Sequence, residues 1–464
     1  MRSGLGWGIR ISCVITCLAS LAAAEPGVTT KPPISHFGYG LINTADGQPA
    51  DVDLFVSNET CAVCHPRQQA ELQGSMHSAT HEDPLYRGFA KTARREAGEQ
   101  TYAYCAACHA PLGVAAGIIP ATPDDQLSAD VKAGVTCDTC HHISALTGAG
   151  GPWKVEGNAS FVLKSGKVRF GPSDQVAPNR LHTDEKRDFF GKSEFCASCH
   201  TVIHPTNGLP IENTYGEWKT SVYAQHNIQC QDCHMSSVED AQQVAESLKP
   251  IVRQGQSALE GPVRPIYPHY FVGGNADADH LAHGVEHAKM AEARLRSAAQ
   301  LKLQAPATVR AGATFRFDVA VQNVAAGHNI PTGVTELRQI WVDLHLLDRN
   351  HKEVFRSGQL DERGEFGPNT IWFGAVAADA AGKPTLKPWE MIRFLSHRTI
   401  PPKGVVRELV SVDLPAGTAG PLTLNARLLY RSATPKVVAQ FLGDEAFVPK
   451  ITEMATAQVK LDVE

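Results

Sequence analysis

The chain has 464 residues, 12 cysteines and a formal net charge of −5. This length predicts two or three domains. A mildly acidic chain argues against nucleic acid and against an anionic membrane surface as partners.

Residues 1–24 have the three parts of a secretory signal. Arg2 and Arg10 give a positive start, residues 11–21 form an apolar run, and three alanines at 22–24 form a cleavage site. The apolar run is shorter than the roughly 20 residues of a membrane span. We therefore expect an exported protein, periplasmic or extracellular and at the cell surface, with no transmembrane helix in the mature chain.

Five copies of the pattern C-x-x-C-H follow, and they hold every cysteine after Cys17. This pattern is the attachment signature of c-type haem. The two thiols bind the haem vinyl groups, and the histidine is the proximal iron ligand. We expect five covalently attached haems c, on motif 1 (Cys61, Cys64, His65), motif 2 (Cys105, Cys108, His109), motif 3 (Cys137, Cys140, His141), motif 4 (Cys196, Cys199, His200) and motif 5 (Cys230, Cys233, His234).

Zinc is the alternative, because C-x-x-C pairs also bind that metal. A zinc site does not require a histidine directly after the second cysteine, yet all five copies have one. An exported chain also lies outside the reducing compartment. Both observations favour haem.

We expect an α+β multi-domain fold that starts, over residues 25–300, with a mainly helical and loop-rich pentahaem domain. The dense motifs leave little room for a protein core, so the porphyrins must supply much of the buried apolar surface. Residues 161–170 predict a β-hairpin that turns at Ser165-Gly166. Apolar residues at helical spacing from about Asp279 to Leu301 predict an amphipathic helix that closes this domain.

After residue 301 apolar residues recur at every second position instead of at helical spacing. Short alternating runs separated by turn signals predict an immunoglobulin-like antiparallel β-sandwich over 301–464. This region has no cysteine, so it lacks the inter-sheet disulfide of antibody domains. The predicted strands cover residues 314–323, 340–347, 391–396, 422–430 and 457–462.

Several segments resemble the cytochrome c-554-like multihaem family, whose superfamily also contains hydroxylamine oxidoreductase. The likeness spans roughly residues 58–335. The segments that carry it are His65-Pro-Arg-Gln-Gln-Ala-Glu-Leu-Gln-Gly-Ser-Met-His77, Gly134 to His142, Glu194 to His200, Tyr215-Gly-Glu-Trp218, Pro268-His-Tyr-Phe-Val-Gly-Gly-Asn275 and Ala326-Gly-His-Asn-Ile-Pro-Thr-Gly333.

The resemblance implies bis-histidine ligation of most of the haems. It identifies five candidate distal ligands by position, with His204, His226 and His81 as reserves. One of the five directly follows a motif histidine, so it would serve a neighbouring iron. The five candidates are His77, His142, His182, His269 and His328.

Three functions remain open. The first is an electron carrier with unidentified redox partner proteins as donor and acceptor. The second is a haem oxidoreductase of the hydroxylamine or nitrite type with one five-coordinate haem; the absence of a C-x-x-C-K motif counts against it. The third is an extracellular filament-forming cytochrome, in which the β-sandwich would drive assembly into a homo-oligomer.

Overall fold

The computed structural model describes residues 41–148, 156–177 and 179–464, so the predicted signal lies outside the described residues. The α-helices of these ranges are mostly short, and all but one lie before residue 300. They are α1 (Asn58–Ala62), α2 (Pro66–Leu72), α3 (Pro84–Ala97), α4 (Glu99–His109), α5 (Pro111–Ala115), α6 (Ala129–Lys132), α7 (Cys137–His141), α8 (Ser193–Ala197), α9 (Thr214–Lys219), α10 (Val222–Gln225), α11 (Cys230–His234), α12 (Val238–Ser247), α13 (Val285–Ala298) and α14 (Pro435–Leu442). No helix in these ranges is long and apolar enough to cross a membrane.

The strands are short up to residue 300 and longer after it. They are β1 (Asn43–Thr44), β2 (Ile143–Leu146), β3 (Phe161–Leu163), β4 (Val168–Gly171), β5 (Thr183–Lys186), β6 (Val202–Ile203), β7 (Pro210–Glu212), β8 (Gln254–Gln256), β9 (Val263–Pro265), β10 (Ala299–Gln304), β11 (Thr308–Val309), β12 (Thr314–Asn323), β13 (Gln339–Leu347), β14 (Glu353–Ser357), β15 (Trp372–Ala378), β16 (Pro384–Thr385), β17 (Arg393–Arg398), β18 (Val405–Asp413), β19 (Leu422–Arg431) and β20 (Thr452–Val463).

The helix α3 begins and ends where its sequence provides the signals. The carboxylate of Asp83 accepts a hydrogen bond from the backbone N–H of Tyr86 at 2.7 Å, and Pro84 occupies the first turn. The helix ends at Gly98, whose φ of +91° favours glycine. Helix α4 therefore begins directly after Gly98, and its buried residues Tyr102 and Ala106 pack against α3.

The predicted hairpin over 161–170 is wrong. The strands β3 and β4 form within it, but β3 pairs with β1 and β2, whereas β4 pairs in parallel with β5. The loop between them folds around His142, whose Nε2 lies 3.0 Å from the carbonyl oxygen of Gly166. Arg169 donates to the same carbonyl at 2.8 Å. These side-chain contacts take the place of the ladder that a hairpin would form.

The closing helix is confirmed as α13, which buries Ala288, Ala291 and Leu295 on one face. It runs directly into β10, the first strand of the β-rich region. Because no loop separates the two elements, α13 joins the helical region to the β-rich region rigidly.

The β-rich region consists of two sheets around one hydrophobic core. One sheet has the order β10-β12-β18, and the other contains β11-β20-β19-β13-β15-β16 with β14 and β17 at its side. Phe317 and Val319 of the first sheet meet Val342, Leu344 and other buried residues of the second in this core. The alternating runs predicted as strands are confirmed as β12, β13, β17, β19 and β20, with shifts of a few residues at their ends.

Helix α14 returns from the β-rich region to the helical region. The ring of Phe441 on α14 stacks on Phe89 of α3, with centroids 3.6 Å apart. Gly88 lets the two helices approach, because a Cβ there would lie 2.6 Å from the backbone oxygen of Phe441. The two parts of the chain therefore share packed side chains.

Candidate functional site

One connected cavity of about 1430 Å³ runs through the described part of the chain, largely among the helices before residue 300. All ten motif cysteines line it, together with the five motif histidines. Four of the five candidate distal histidines, His77, His182, His269 and His328, also line it. Residues that are far apart in the sequence thus face a common space.

Helix caps hold the motifs in place at the wall of this cavity. The hydroxyl of Thr136 accepts from the N–H of Thr139 at 3.1 Å and starts α7 at Cys137. Gln229 and Asp232 form a reciprocal capping box that starts α11 at Cys230. In both motifs the first cysteine therefore lies in the first turn, and the histidine ends the helix four residues later.

The structure brings four motif histidines opposite four of the candidate distal histidines. Metal–nitrogen bonds of about 2.0–2.1 Å on opposite sides of one metal place two imidazole centres about 6 Å apart. The observed centroid distances are 6.4 Å for His65 and His182, 6.5 Å for His141 and His269, 6.0 Å for His234 and His328, and 6.0 Å for His77 and His200. The spacing fits an iron between each pair.

The mutual orientation of the rings separates one pair from the other three. The rings of His65/His182, His141/His269 and His234/His328 make interplanar angles of 25°, 24° and 16°. The rings of His77 and His200 are perpendicular, at 89°. The site built on motif 4 therefore differs from the other paired sites in geometry.

The site built on motif 2 has a tyrosine beside its histidine. The ring of Tyr86 stacks on His109 with centroids 3.9 Å apart and an angle of 4°. Its hydroxyl is buried and makes no hydrogen bond within the described residues. His81 lies beyond this tyrosine, 5.9 Å from it and tilted by 57°. Among the described residues, no histidine ring lies opposite His109 at the spacing of the four pairs.

The fifth candidate, His142, does not face a motif histidine. Its Nδ1 lies 2.9 Å from the carbonyl oxygen of Asp138, and its Nε2 lies 3.0 Å from that of Gly166. It is fully buried and does not line the cavity. Nδ1 donates to the Asp138 carbonyl and Nε2 accepts from the guanidinium of Arg169 at 3.0 Å, so this residue has no free nitrogen for an iron and anchors the loop before β4 instead.

Hydrogen bonds at Nδ1 leave Nε2 as the nitrogen that can bind a metal. Four motif histidines use a backbone carbonyl: His65 that of Ser257, His109 that of Thr80 at 3.0 Å, His141 that of Phe170 at 2.6 Å and His234 that of Val272 at 2.7 Å. His200 differs, since its Nδ1 lies 3.4 Å from the carboxylate of Glu212.

Burial keeps most of these imidazoles neutral, which is the form that binds metals. Removal from water lowers the pKa of His77 and of His234 to about 3, and that of His269 to about 4. His200 is the exception. Burial alone would lower its pKa, but the hydrogen bond and negative charge of Glu212 outweigh burial and raise it to about 9.

Neighbouring thiols show how the five motifs adjoin one another. Cys61 lies within hydrogen-bonding reach of Cys137, Cys108 of Cys199, and Cys196 of Cys230. Motif 1 therefore adjoins motif 3, and motif 4 adjoins both motif 2 and motif 5. Cys140 of motif 3 is also close enough to act electrostatically on the thiols of motif 4. Motif 4 is the junction of the set.

The residues present fit haem c better than zinc. A structural zinc site requires about four converging ligands, and no group of three or more His, Cys, Asp or Glu side chains converges within the described ranges. Thiol pairs beside paired imidazoles match covalent attachment with axial ligation on both faces of an iron. The cavity and its lining thus define a multihaem c-type cytochrome.

Comparison with known proteins agrees with this class. Residues 60–142 match the family model of cytochrome c554 and c-prime. The solved structure of a penta-heme cytochrome c552 from Thermochromatium tepidum is similar over 88% of this chain and 99% of that chain, with 19% identity and a TM-score of 0.61. Residues 60–142 are thus similar to the cytochrome c554 and c-prime family, and the fold of the chain is similar to that of the penta-heme cytochrome c552.

Two weaker structural matches support no inference. The CARDB domain of a Pyrococcus furiosus protein covers 36% of this chain and 87% of that chain at 11% identity and a TM-score of 0.17. A putative superoxide reductase from Thermotoga maritima covers 36% and 86% at 14% identity and a TM-score of 0.16. A comparison with curated proteins gives no significant match.

Proposed function

We propose that this chain is an exported electron carrier that holds five covalently attached haems c in one continuous cavity. Four of these sites are bis-histidine: His65 with His182, His200 with His77, His141 with His269, and His234 with His328. The haem supplies a one-electron iron couple, and redox proteins of the periplasm or cell surface supply and accept the electrons. The observation that carries the proposal is the spacing of these four ring pairs, 6.0 to 6.5 Å.

Paired imidazoles suit electron transfer because they fill both axial positions of the iron. A six-coordinate site has no position for a substrate. Contacts at Nδ1 also hold the motif histidines of these four sites in place when the iron changes its charge. The adjoining motifs support a relay, since each site has at least one neighbour through its thiols.

The domain division that we propose follows from the same features. Residues 25–300 form the pentahaem domain, and residues 301–464 form an immunoglobulin-like β-sandwich. The two sheets around one core support the sandwich. His328, in a loop of the second part, faces the cavity of the first.

The haem count tests the proposal. The intact mass of the exported holoprotein should correspond to five haems with no free thiol, because each motif cysteine forms one thioether. A mass with four haems, or a disulfide in place of one haem, would contradict it. Controls are the double variants Cys105→Ala/Cys108→Ala and Cys230→Ala/Cys233→Ala, each of which should lose one haem.

A second candidate function is a haem oxidoreductase for a small nitrogen compound at motif 2. Among the described residues, His109 has no histidine ring opposite it at the 6.0–6.5 Å spacing of the other sites, which favours this function. Such a site would leave one axial position of one iron open. Binding of cyanide or nitrite by one haem in five, together with turnover of hydroxylamine or nitrite, would support this function. Binding without turnover would leave the chain an electron carrier.

A further inference from the structure

The motif histidine of motif 4 has an unusual hydrogen-bond partner. At motifs 1, 2, 3 and 5 the Nδ1 of the proximal histidine meets a neutral backbone carbonyl. At motif 4 the Nδ1 of His200 meets the side-chain carboxylate of Glu212 at 3.4 Å. At 3.4 Å this contact is longer than the roughly 2.7–2.9 Å of a charge-assisted hydrogen bond, so the carboxylate acts on His200 mainly through its negative charge.

The local fold fixes this carboxylate in place. Glu212 ends β7, which pairs with β6, the strand that directly follows motif 4, and its register partner is Val202. The neighbouring side chain of Ile211 is buried against Tyr104 and Met391. Only 14% of the Glu212 side chain is exposed. A buried, anchored acceptor interacts with its partner more strongly than a solvated one.

A carboxylate on the proximal histidine changes the electronic properties of the iron that this histidine binds. Its negative charge lies close to the imidazole and therefore stabilises positive charge at the iron. The added negative charge favours the ferric over the ferrous iron. The reduction potential of that haem therefore falls.

We propose that Glu212 is a tuning residue that lowers the reduction potential of the haem at motif 4. This inference rests on the proposed ligation of that haem by His200 and His77. Because motif 4 adjoins motifs 2, 3 and 5, Glu212 acts at the junction of the relay. The lower reduction potential favours transfer of an electron from this haem to the neighbouring haems.

The perpendicular rings of His77 and His200 provide a way to observe this haem alone. Ferric haems with perpendicular imidazole planes give an electron paramagnetic resonance signal with a large maximum g value. Near-parallel planes give rhombic signals instead. The angle of 89° at motif 4, against 25°, 24° and 16° elsewhere, assigns the large-g signal to motif 4.

The test is a redox titration of the holoprotein in which this signal is followed. In Glu212→Gln the reduced-to-oxidised ratio of the motif 4 haem at a fixed potential should rise about tenfold, or about 59 mV for one electron. The rhombic signals should titrate as in the wild type. Glu212→Asp should shift the ratio in the same direction by less, because it keeps the charge but withdraws it from His200.

Glu336→Gln is the matched control. Glu336 is a buried glutamate on which Glu212 acts electrostatically, yet neither of its carboxylate oxygens has a hydrogen-bond partner among the described residues. It should change the ratio much less than Glu212→Gln. An unchanged ratio in Glu212→Gln, or an equal shift in Glu336→Gln, would overturn the inference. A wild-type protein with no large-g signal would instead contradict the ligand assignment at motif 4.

Discussion

The imidazole rings of His234 and His328 lie 6.0 Å apart and nearly parallel, although His234 belongs to α11 and His328 to the loop after β12. Asn323 donates from its side chain to the carbonyl oxygen of His328 at 2.8 Å. On the other side, Glu217 accepts from the N–H of Asn329 at 3.2 Å. Hydrogen bonds from both the β-rich region and the helical region thus hold this loop in place.

Replacing His328 should free one axial position and loosen the attachment of the β-rich region. His328→Ala should convert one haem to high spin and expose the junction after α13 to protease, because inter-domain contacts within one chain are otherwise modest. Limited proteolysis and the visible spectrum measure both effects.

His345→Ala and His397→Ala are the controls for this variant, since both residues lie on strands of the β-rich region. Neither should change the spin state. If His328→Ala leaves every haem in the low-spin state, the β-rich region is not attached through an iron ligand.

The lining of the cavity predicts that His81 is not an iron ligand. His109 and the other four motif histidines line the cavity, whereas His81 does not. His81→Ala should therefore leave the high-spin fraction of the oxidised protein unchanged, as measured by electron paramagnetic resonance. An increase by one haem would show that His81 binds the motif 2 iron.

Buried Glu336 should make the protein less stable as the pH rises. Burial raises its pKa from 4.5 to about 7, so the folded protein keeps a proton that the unfolded chain releases. Its stabilising contribution is fully present below about pH 4.5 and is lost as the pH rises through 7. The loss is at most roughly 3 kcal/mol.

Glu336→Gln should remove this loss and flatten the decrease in unfolding free energy between pH 5 and 8. Urea unfolding followed by far-ultraviolet circular dichroism measures it. The exposed Glu362→Gln serves as the control and should keep the wild-type slope. A slope that is the same in Glu336→Gln and the wild type would mean that this carboxyl does not titrate in that range.

The contact between α3 and α14 depends on Gly88. An alanine in the middle of a helix usually stabilises relative to glycine by about 0.5–1 kcal/mol. Here its Cβ would lie 2.6 Å from the backbone oxygen of Phe441, so α14 would have to move. Gly88→Ala should cost about 1–3 kcal/mol in unfolding free energy.

The control for Gly88 is Gly191→Ala, because a Cβ at that position meets nothing within 4 Å and Gly191 does not line the cavity. Chemical denaturation of both variants measures the difference. A stabilised Gly88→Ala would show that the two helices are not packed as described.

Part of this site is local in sequence and was therefore predictable. Each C-x-x-C-H copy places its histidine one helical turn from the first cysteine, so the motif histidines need no long-range information. The alternating apolar residues of β12 and the helical spacing of apolar residues in α13 likewise indicate, from the local sequence, which side chains are buried. The distal partners could be proposed only by resemblance, and their pairing needed the fold.

The pairings depend on loop paths that leave no local pattern. His65 of motif 1 pairs with His182, which precedes motif 4 in the sequence. His77 follows motif 1 in the sequence but pairs with His200 of motif 4. The resemblance implies His142 as a ligand, yet the Asp138 carbonyl and the Arg169 guanidinium occupy its nitrogens. Tyr86 and Glu212 carried no signal, since neither stands at a fixed distance from a motif.

The spin count of the oxidised holoprotein tests the four pairs and the one unpaired motif most directly. Quantitative electron paramagnetic resonance should give four low-spin haems for one high-spin haem, with one of the four in the large-g form. Two or more high-spin haems would contradict the pairing of the histidines, and five low-spin haems would contradict the open position beside Tyr86.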